Sequence, residues 1–146
     1  MRWERAYTLE EIGQVVTALK AWGAGQARWL LYGPMGAGKT TLVRHWIGPQ
    51  VQSPTFTYIN AYGDGVYHID LYRFGEADYA RWEAVYDILE TAPLVFVEWP
   101  EKLPWPVPRP YVSVRIDILG PLERRLTAQV IEAGYQSAVP PPHRPL

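Results

Sequence analysis

Residues 33–40 read Gly-Pro-Met-Gly-Ala-Gly-Lys-Thr, the complete G-x-x-x-x-G-K-[ST] spacing of a phosphate-binding loop. Such a loop works by surrounding a polyphosphate with main-chain N–H groups at the positive end of a helix dipole. Gly33 opens the turn, and the N–H groups of Met35, Gly36, Ala37, Gly38, Lys39 and Thr40 are expected to line the phosphates. Gly36 and Gly38 allow close approach and unusual φ. Lys39 is expected to reach the β- and γ-phosphates as a point charge. The Thr40 hydroxyl is expected to bind Mg²⁺, which keeps several of its waters. Thr41 either touches the α-phosphate or is a plain helix threonine. A glycine-rich turn with an incidental lysine is the bland alternative. The context argues against it, because the apolar run Trp29-Leu30-Leu31-Tyr32 precedes the loop and a helix-like stretch, Lys39 to Ile47, follows it.

A magnesium nucleotide site also needs an acid near the metal, usually at the end of a strand beside the loop. Glu98 fits, since Leu94-Val95-Phe96-Val97 precede it and Pro100 breaks the strand just after. It is read as a metal-shell or water-activating carboxylate; a solvated strand-end Glu is the alternative. Glu101 carries the same charge in a less suitable, proline-rich place. His68-Ile69-Asp70 puts two polar side chains on one face of a strand, with Ile69 on the other. Asp70 is the second metal-shell candidate. His68 either steers a proton, holds Asp70, or is an ordinary structural histidine. In Ser53-Pro54-Thr55, after the loop helix, either hydroxyl suits a γ-phosphate oxygen or the metal; an ordinary turn fits the composition equally well.

The chain around these residues has 146 residues, no Cys and a net charge of −1. One domain is expected over residues 1–139, with a disordered tail at 140–146. The lack of Cys excludes disulfides and thiolate metal sites. No apolar run is long enough to span a membrane, and the first residues lack the apolar segment of a signal peptide, so a cytoplasmic protein is expected. Near-neutral charge argues against a strong direct grip on nucleic acid. Thr8 and Glu11 form a capping box before a helical pattern, Ile12, Val15, Val16 and Leu19, closed by Gly23. Arg28 to Tyr32 reads as a central parallel strand. A hairpin is predicted from Phe56–Tyr62 and Val66–Tyr72, turning at Gly63-Asp64-Gly65. A helix should run to about Glu90, then the strand ending on Glu98. The segment from Trp99 to Pro110 is too proline-rich for regular structure. Val112 to Ile118 alternates as a half-buried strand, and Leu122 to Ala133 reads as its partner. The sum is an α/β fold, a three-layer P-loop NTPase-like domain whose mixed β-sheet is parallel at the phosphate loop and antiparallel at its margins.

Four blocks in order, the loop with Lys39-Thr40-Thr41-Leu42, then Ser53-Pro54-Thr55-Phe56-Thr57, His68-Ile69-Asp70-Leu71-Tyr72-Arg73 and Glu98-Trp99-Pro100-Glu101, resemble the TsaE family of small bacterial P-loop ATPases. The resemblance spans roughly residues 8–101. It implies ATP binding, slow hydrolysis, and assembly with the TsaB and TsaD proteins in threonylcarbamoyladenosine modification of tRNA, with tRNA met through the complex. It maps the family's nucleotide site onto Lys39, Thr40, Asp70 and Glu98, and strengthens the case for Ser53, Thr55 and His68. Pro34-Met35 and Tyr58-Ile59-Asn60 depart mildly from the family pattern.

These features predict a Mg-dependent ATPase with weak activity alone. Mg²⁺ and Lys39 would offset charge on the γ-phosphate, while Asp70 or Glu98 orients a water. Arg73, Arg44 or a partner's residue is left to serve as the arginine finger. A small-molecule kinase with Asp70 as base is the first rival. An ATP-dependent docking module with incidental hydrolysis is the second. Trp99 and Trp105 are the two candidate surface anchors among the seven Trp.

Overall fold

A strand buried on both faces must be central, and Trp29, Leu30 and Leu31 are all essentially inaccessible. The computed structural model describes residues 1–51, 58–74 and 79–132. In chain order its elements are β1 Arg2–Thr8, α1 Ile12–Trp22, β2 Arg28–Tyr32, α2 Lys39–Ile47, β3 Ile59–Tyr62, β4 Val66–Asp70, α3 Tyr79–Thr91, β5 Leu94–Glu98, β6 Tyr111–Ile118 and β7 Glu123–Ile131. One seven-stranded sheet runs β1-β7-β6-β2-β5-β4-β3. β2 pairs in parallel with both β5 and β6, and β4 pairs in parallel with β5. The margins are antiparallel: β1 with β7, β7 with β6, and β3 with β4.

Alternation along the strands divides the core into two layers. On one face Trp29, Leu31, Phe96, Val112 and Val114 pack with Val15, Val16 and Leu19 of α1 and with Leu42 and Val43 of α2. On the other, Leu30, Val95, Val97 and Ile69 meet Trp82, Val85, Tyr86 and Leu89 of α3. Burying each such side chain stabilises by roughly 1.5–3 kcal/mol. The predicted three-layer fold with a mixed sheet is therefore the fold observed.

Local signals work as read. The Thr8 N–H donates to Glu11 Oε1 at 2.8 Å, although the box first opens a short 3₁₀ turn, Leu9–Glu11, and α1 begins only at Ile12. Gly23 ends α1 by donating its N–H to the Leu19 carbonyl. A Cβ at Gly23 would sit 2.4 Å from the Trp29 ring, so the tight packing there also needs glycine.

Three expectations need correction. β1 was not anticipated: its exposed Arg2, Glu4 and Ala6 alternate with the less exposed Trp3, Arg5 and Tyr7, and it gains its partner from β7 at the other end of the described chain. The returning hairpin arm is shorter than expected, because it stops at Asp70, where the chain turns through Leu71 to Phe74. The proline-rich segment holds one 3₁₀ turn, Pro100–Lys102, with Pro at its start where a missing N–H costs nothing. Ser53 and Thr55 lie outside the described residues, as do residues 140–146.

Candidate nucleotide site

The loop leaves β2 at Gly33, whose φ is +151°, and a Cβ there would meet the Ile116 carbonyl of β6 at 2.7 Å. Gly36 and Gly38 have φ of +81° and +107°, and a Cβ on either would meet nothing within 4 Å. Their requirement is therefore conformational, with open space in front of them. Ala37 is buried, Met35 is exposed, and Thr41 is half-buried on α2.

Thr40 stands in the first turn of α2. Its hydroxyl lies 2.8 Å and 3.0 Å from the two carboxylate oxygens of Glu98. Glu98 ends β5, and Asp70 ends β4 directly beside it in the parallel register. His68, two residues back and opposite Phe96, holds Glu98 Oε2 at 2.5 Å through Nε2, so its proton belongs on that nitrogen. The other ring nitrogen, Nδ1, is buried without a hydrogen-bond partner among the described residues. Thus His68 props Glu98, rather than Asp70. Asp70 instead accepts the Tyr72 N–H at 2.9 Å, a turn that ends its strand. Burial pushes the Asp70 carboxyl above its ordinary value, and the neighbouring Glu98 charge adds to this, while the Tyr72 N–H, His68 and Lys39 oppose it.

Lys39 is almost fully buried at the head of α2. Its ammonium donates to the Gly33 carbonyl at 2.5 Å and lies 3.6 Å from the centroid of the Trp99 ring. Burial pushes its pKa down, against the pull of Glu98, Glu101 and Asp70. Trp99 holds this position from a left-handed backbone, φ +59° and ψ +47°, which a bulky residue rarely adopts. Its ring also packs on Tyr72, 5.1 Å between centroids.

The structure thus brings Gly33, Gly36, Ala37, Gly38, Lys39, Thr40, His68, Asp70, Glu98 and Trp99 to one end of the sheet. It takes Trp105 elsewhere. That indole stacks on Tyr79 and packs at a tilt on Tyr86, and the Trp105 main-chain N–H donates to the Tyr86 hydroxyl at 2.8 Å, so Trp105 ties the proline-rich segment to α3. Arg44 is turned away too, donating to the Val51 carbonyl behind α2, and Arg73 is exposed.

One residue escaped the sequence reading. Arg124 of β7 is 7% exposed and donates to the Ala37 carbonyl at 3.0 Å and the Gly36 carbonyl at 3.2 Å. The signal was present. Arg124 falls in phase with the buried Leu126, Ala128 and Val130, a charge on the apolar face of its strand.

A central parallel strand that hands a glycine loop to a helix, with acids ending the neighbouring strands, defines the P-loop class of α/β proteins. Within that class, the profile described as "Threonylcarbamoyl adenosine biosynthesis protein TsaE" matches residues 4–126, and the chain belongs to this family. A protein named tRNA threonylcarbamoyladenosine biosynthesis protein TsaE from Haemophilus influenzae is 38% identical over 95 residues, covering 60% of each chain. The Nostoc protein of that name is 40% identical over 96 residues, 58% of this chain and 59% of its own. The Bacillus subtilis one is 32% identical over 114 residues, covering 73% and 71%. The first two matches span only about three fifths of those relatives' length. Among solved structures, the crystal structure of Bacillus subtilis YdiB superposes with a TM-score of 0.62 at 26% identity, covering 88% of this chain and 83% of that one.

Proposed function

We propose that this protein is a Mg-dependent ATPase that acts with partner proteins in threonylcarbamoyladenosine modification of tRNA. The observation that carries the reading is the bond between Thr40 and Glu98. It joins the hydroxyl expected to bind magnesium to an acid on the neighbouring strand, beside a lysine with no carboxylate partner among the described contacts.

The donor set suits magnesium, a hard cation that favours oxygen. No group of three or more His, Asp or Glu among the described residues forms a ready metal cage. Magnesium needs none, because it binds through one or two protein oxygens together with phosphates and water. Thr40, with Glu98 and Asp70, would hold it, and the bound ion would neutralise charge on the phosphates.

The chain's own residues do the rest. Amides of the Met35–Thr40 loop bind the phosphates, and the Thr41, Ser53 and Thr55 hydroxyls add to them. Lys39 leaves the Gly33 carbonyl and the Trp99 face for the γ-phosphate, exchanging weak partners for a strong one. Asp70 and Glu98 orient the attacking water, with Glu98 held by His68. With Arg44 engaged behind α2, the exposed Arg73 or a partner's arginine is left to complete the charge, and a partner's arginine fits weak turnover alone. Family membership supports TsaB and TsaD as those partners and a cytoplasmic setting.

The test is ATP turnover by wild type and Lys39→Ala, alone and with the TsaB–TsaD pair. Stimulation of wild type by the pair, absent in the variant, is expected. Turnover that ignores the pair but rises with a small metabolite would favour a kinase.

A further inference from the structure

We infer that Arg124 sets the shape of the phosphate loop, acting from the C-terminal β6–β7 hairpin as a positioning residue; this rests on the nucleotide reading of the loop. The guanidinium is a planar fork of five donors. Here it spans two segments far apart in sequence. Its Nη1 donates to the Gly120 and Glu123 carbonyls in the hairpin turn, at 2.8 Å and 2.9 Å. Its Nε and Nη2 donate to Ala37 and Gly36 in the loop.

Peptide geometry turns those last two bonds into a constraint on the site. In a trans peptide the C=O and the following N–H point in opposite directions. Holding the Ala37 carbonyl toward β7 therefore aims the Gly38 N–H away from β7. Holding the Gly36 carbonyl fixes the next plane back, whose Ala37 N–H donates to the Pro34 carbonyl at 3.1 Å. Two consecutive peptide planes are locked, with glycine on either side of Ala37 and no side chain of their own to lock them. Without Arg124, Gly36 and Gly38 have many conformations to lose when phosphate binds. With it, that ordering is done in advance.

The rest of the neighbourhood agrees. Arg124 stands opposite Tyr7 in the β1–β7 register. It is the only buried arginine among the described residues. Arg28 offers an internal control, because it also donates to main-chain carbonyls, those of Pro108, Pro110 and Leu89, but away from the loop.

The experiment compares wild type, Arg124→Lys and Arg28→Lys by thermal melting and by calorimetric titration with Mg·ATP. A lysine keeps the charge and reaches fewer carbonyls. Arg124→Lys is expected to raise the Kd for Mg·ATP about tenfold, the scale of one lost charge-assisted hydrogen bond. Arg28→Lys is expected to lower Tm at least as much as Arg124→Lys does, with Kd unchanged. If Arg124→Lys binds as tightly as wild type, Arg124 is merely structural and the inference falls. If wild type binds no nucleotide, the nucleotide reading falls first and takes this one with it. Should Arg124→Lys fail to fold, NMR of wild type decides. A slowly exchanging Arg124 Nε–H in the nucleotide-bound protein supports the clasp, and a rapidly exchanging one overturns it.

Discussion

The two halves of the sheet divide the labour. In the half formed by β2, β5 and β4, every strand runs parallel and ends at a part of the proposed site: the glycine loop, Glu98 and Asp70. In the half formed by β6, β7 and β1, the strands after β6 are antiparallel and their inward residues are Val112, Val114, Ile116, Leu126, Ala128 and Val130. Parallel strands bring several chain ends to one edge, where helix N-termini and strand-end acids meet. Antiparallel strands give rigid backing instead. The difference teaches that the proposed site groups sit in short local motifs, whereas their support arrives from distant sequence. Arg124 is where the second half reaches into the first.

If this division holds, the largest effect comes from Lys39→Ala. Turnover should fall by about 10² or more once the γ-phosphate loses its cation, measured by phosphate release. The same change should leave Tm level or raise it, because the buried ammonium lacks a carboxylate partner among the described contacts and burial already lowers its pKa. A large drop in Tm would show that Lys39 is structural after all. Next is Glu98→Gln. Turnover should fall by roughly 10²-fold, the scale of removing a catalytic acid–base group, with Mg·ATP still bound. Loss of binding with no separate loss in turnover would move Glu98 from chemistry to architecture.

Val130→Ala probes the other half, at the end of β7 remote from Arg124. It should cost about 2 kcal/mol by cavity formation, read by urea unfolding, with turnover per folded molecule unchanged. Equal losses in turnover and stability would erase the contrast. The smallest effect is alkaline. Burial pushes the Tyr7 hydroxyl up to about 12, against the Arg124 charge. Its folded pKa exceeds the unfolded one, so the folded state keeps its proton longer. The resulting stability is complete below the unfolded value, about 10, and is lost as pH rises toward 12. Tyr7→Phe should flatten that part of the decline in Tm between those limits; an unchanged slope would contradict it.

Legibility followed the same line. The loop, its flanking strand and helix, and the acids Glu98 and Asp70 were readable because each depends on a few adjacent residues. So was the Val112–Ile118 alternation. β1 was not, because its charged, alternating sequence becomes a strand only when β7 supplies hydrogen-bond partners. The role of His68 needed the β4–β5 pairing, which puts it opposite Phe96 and lets its ring reach diagonally to Glu98. Trp105 read as an exposed anchor because proline-rich chain suggests surface, and only the Tyr86 contacts reveal its seat on α3. Trp99 needed its left-handed turn to reach Lys39.

The central claim is that the Met35–Thr40 amides and Lys39 hold the phosphates of a magnesium-bound adenine nucleotide. Calorimetric titration of Mg·ATP into folded wild-type protein tests it most directly. The account predicts saturable binding near one nucleotide per chain, lost in Lys39→Ala at a Tm no lower than that of wild type. No binding by well-folded wild type, or equal binding by both proteins, would contradict it.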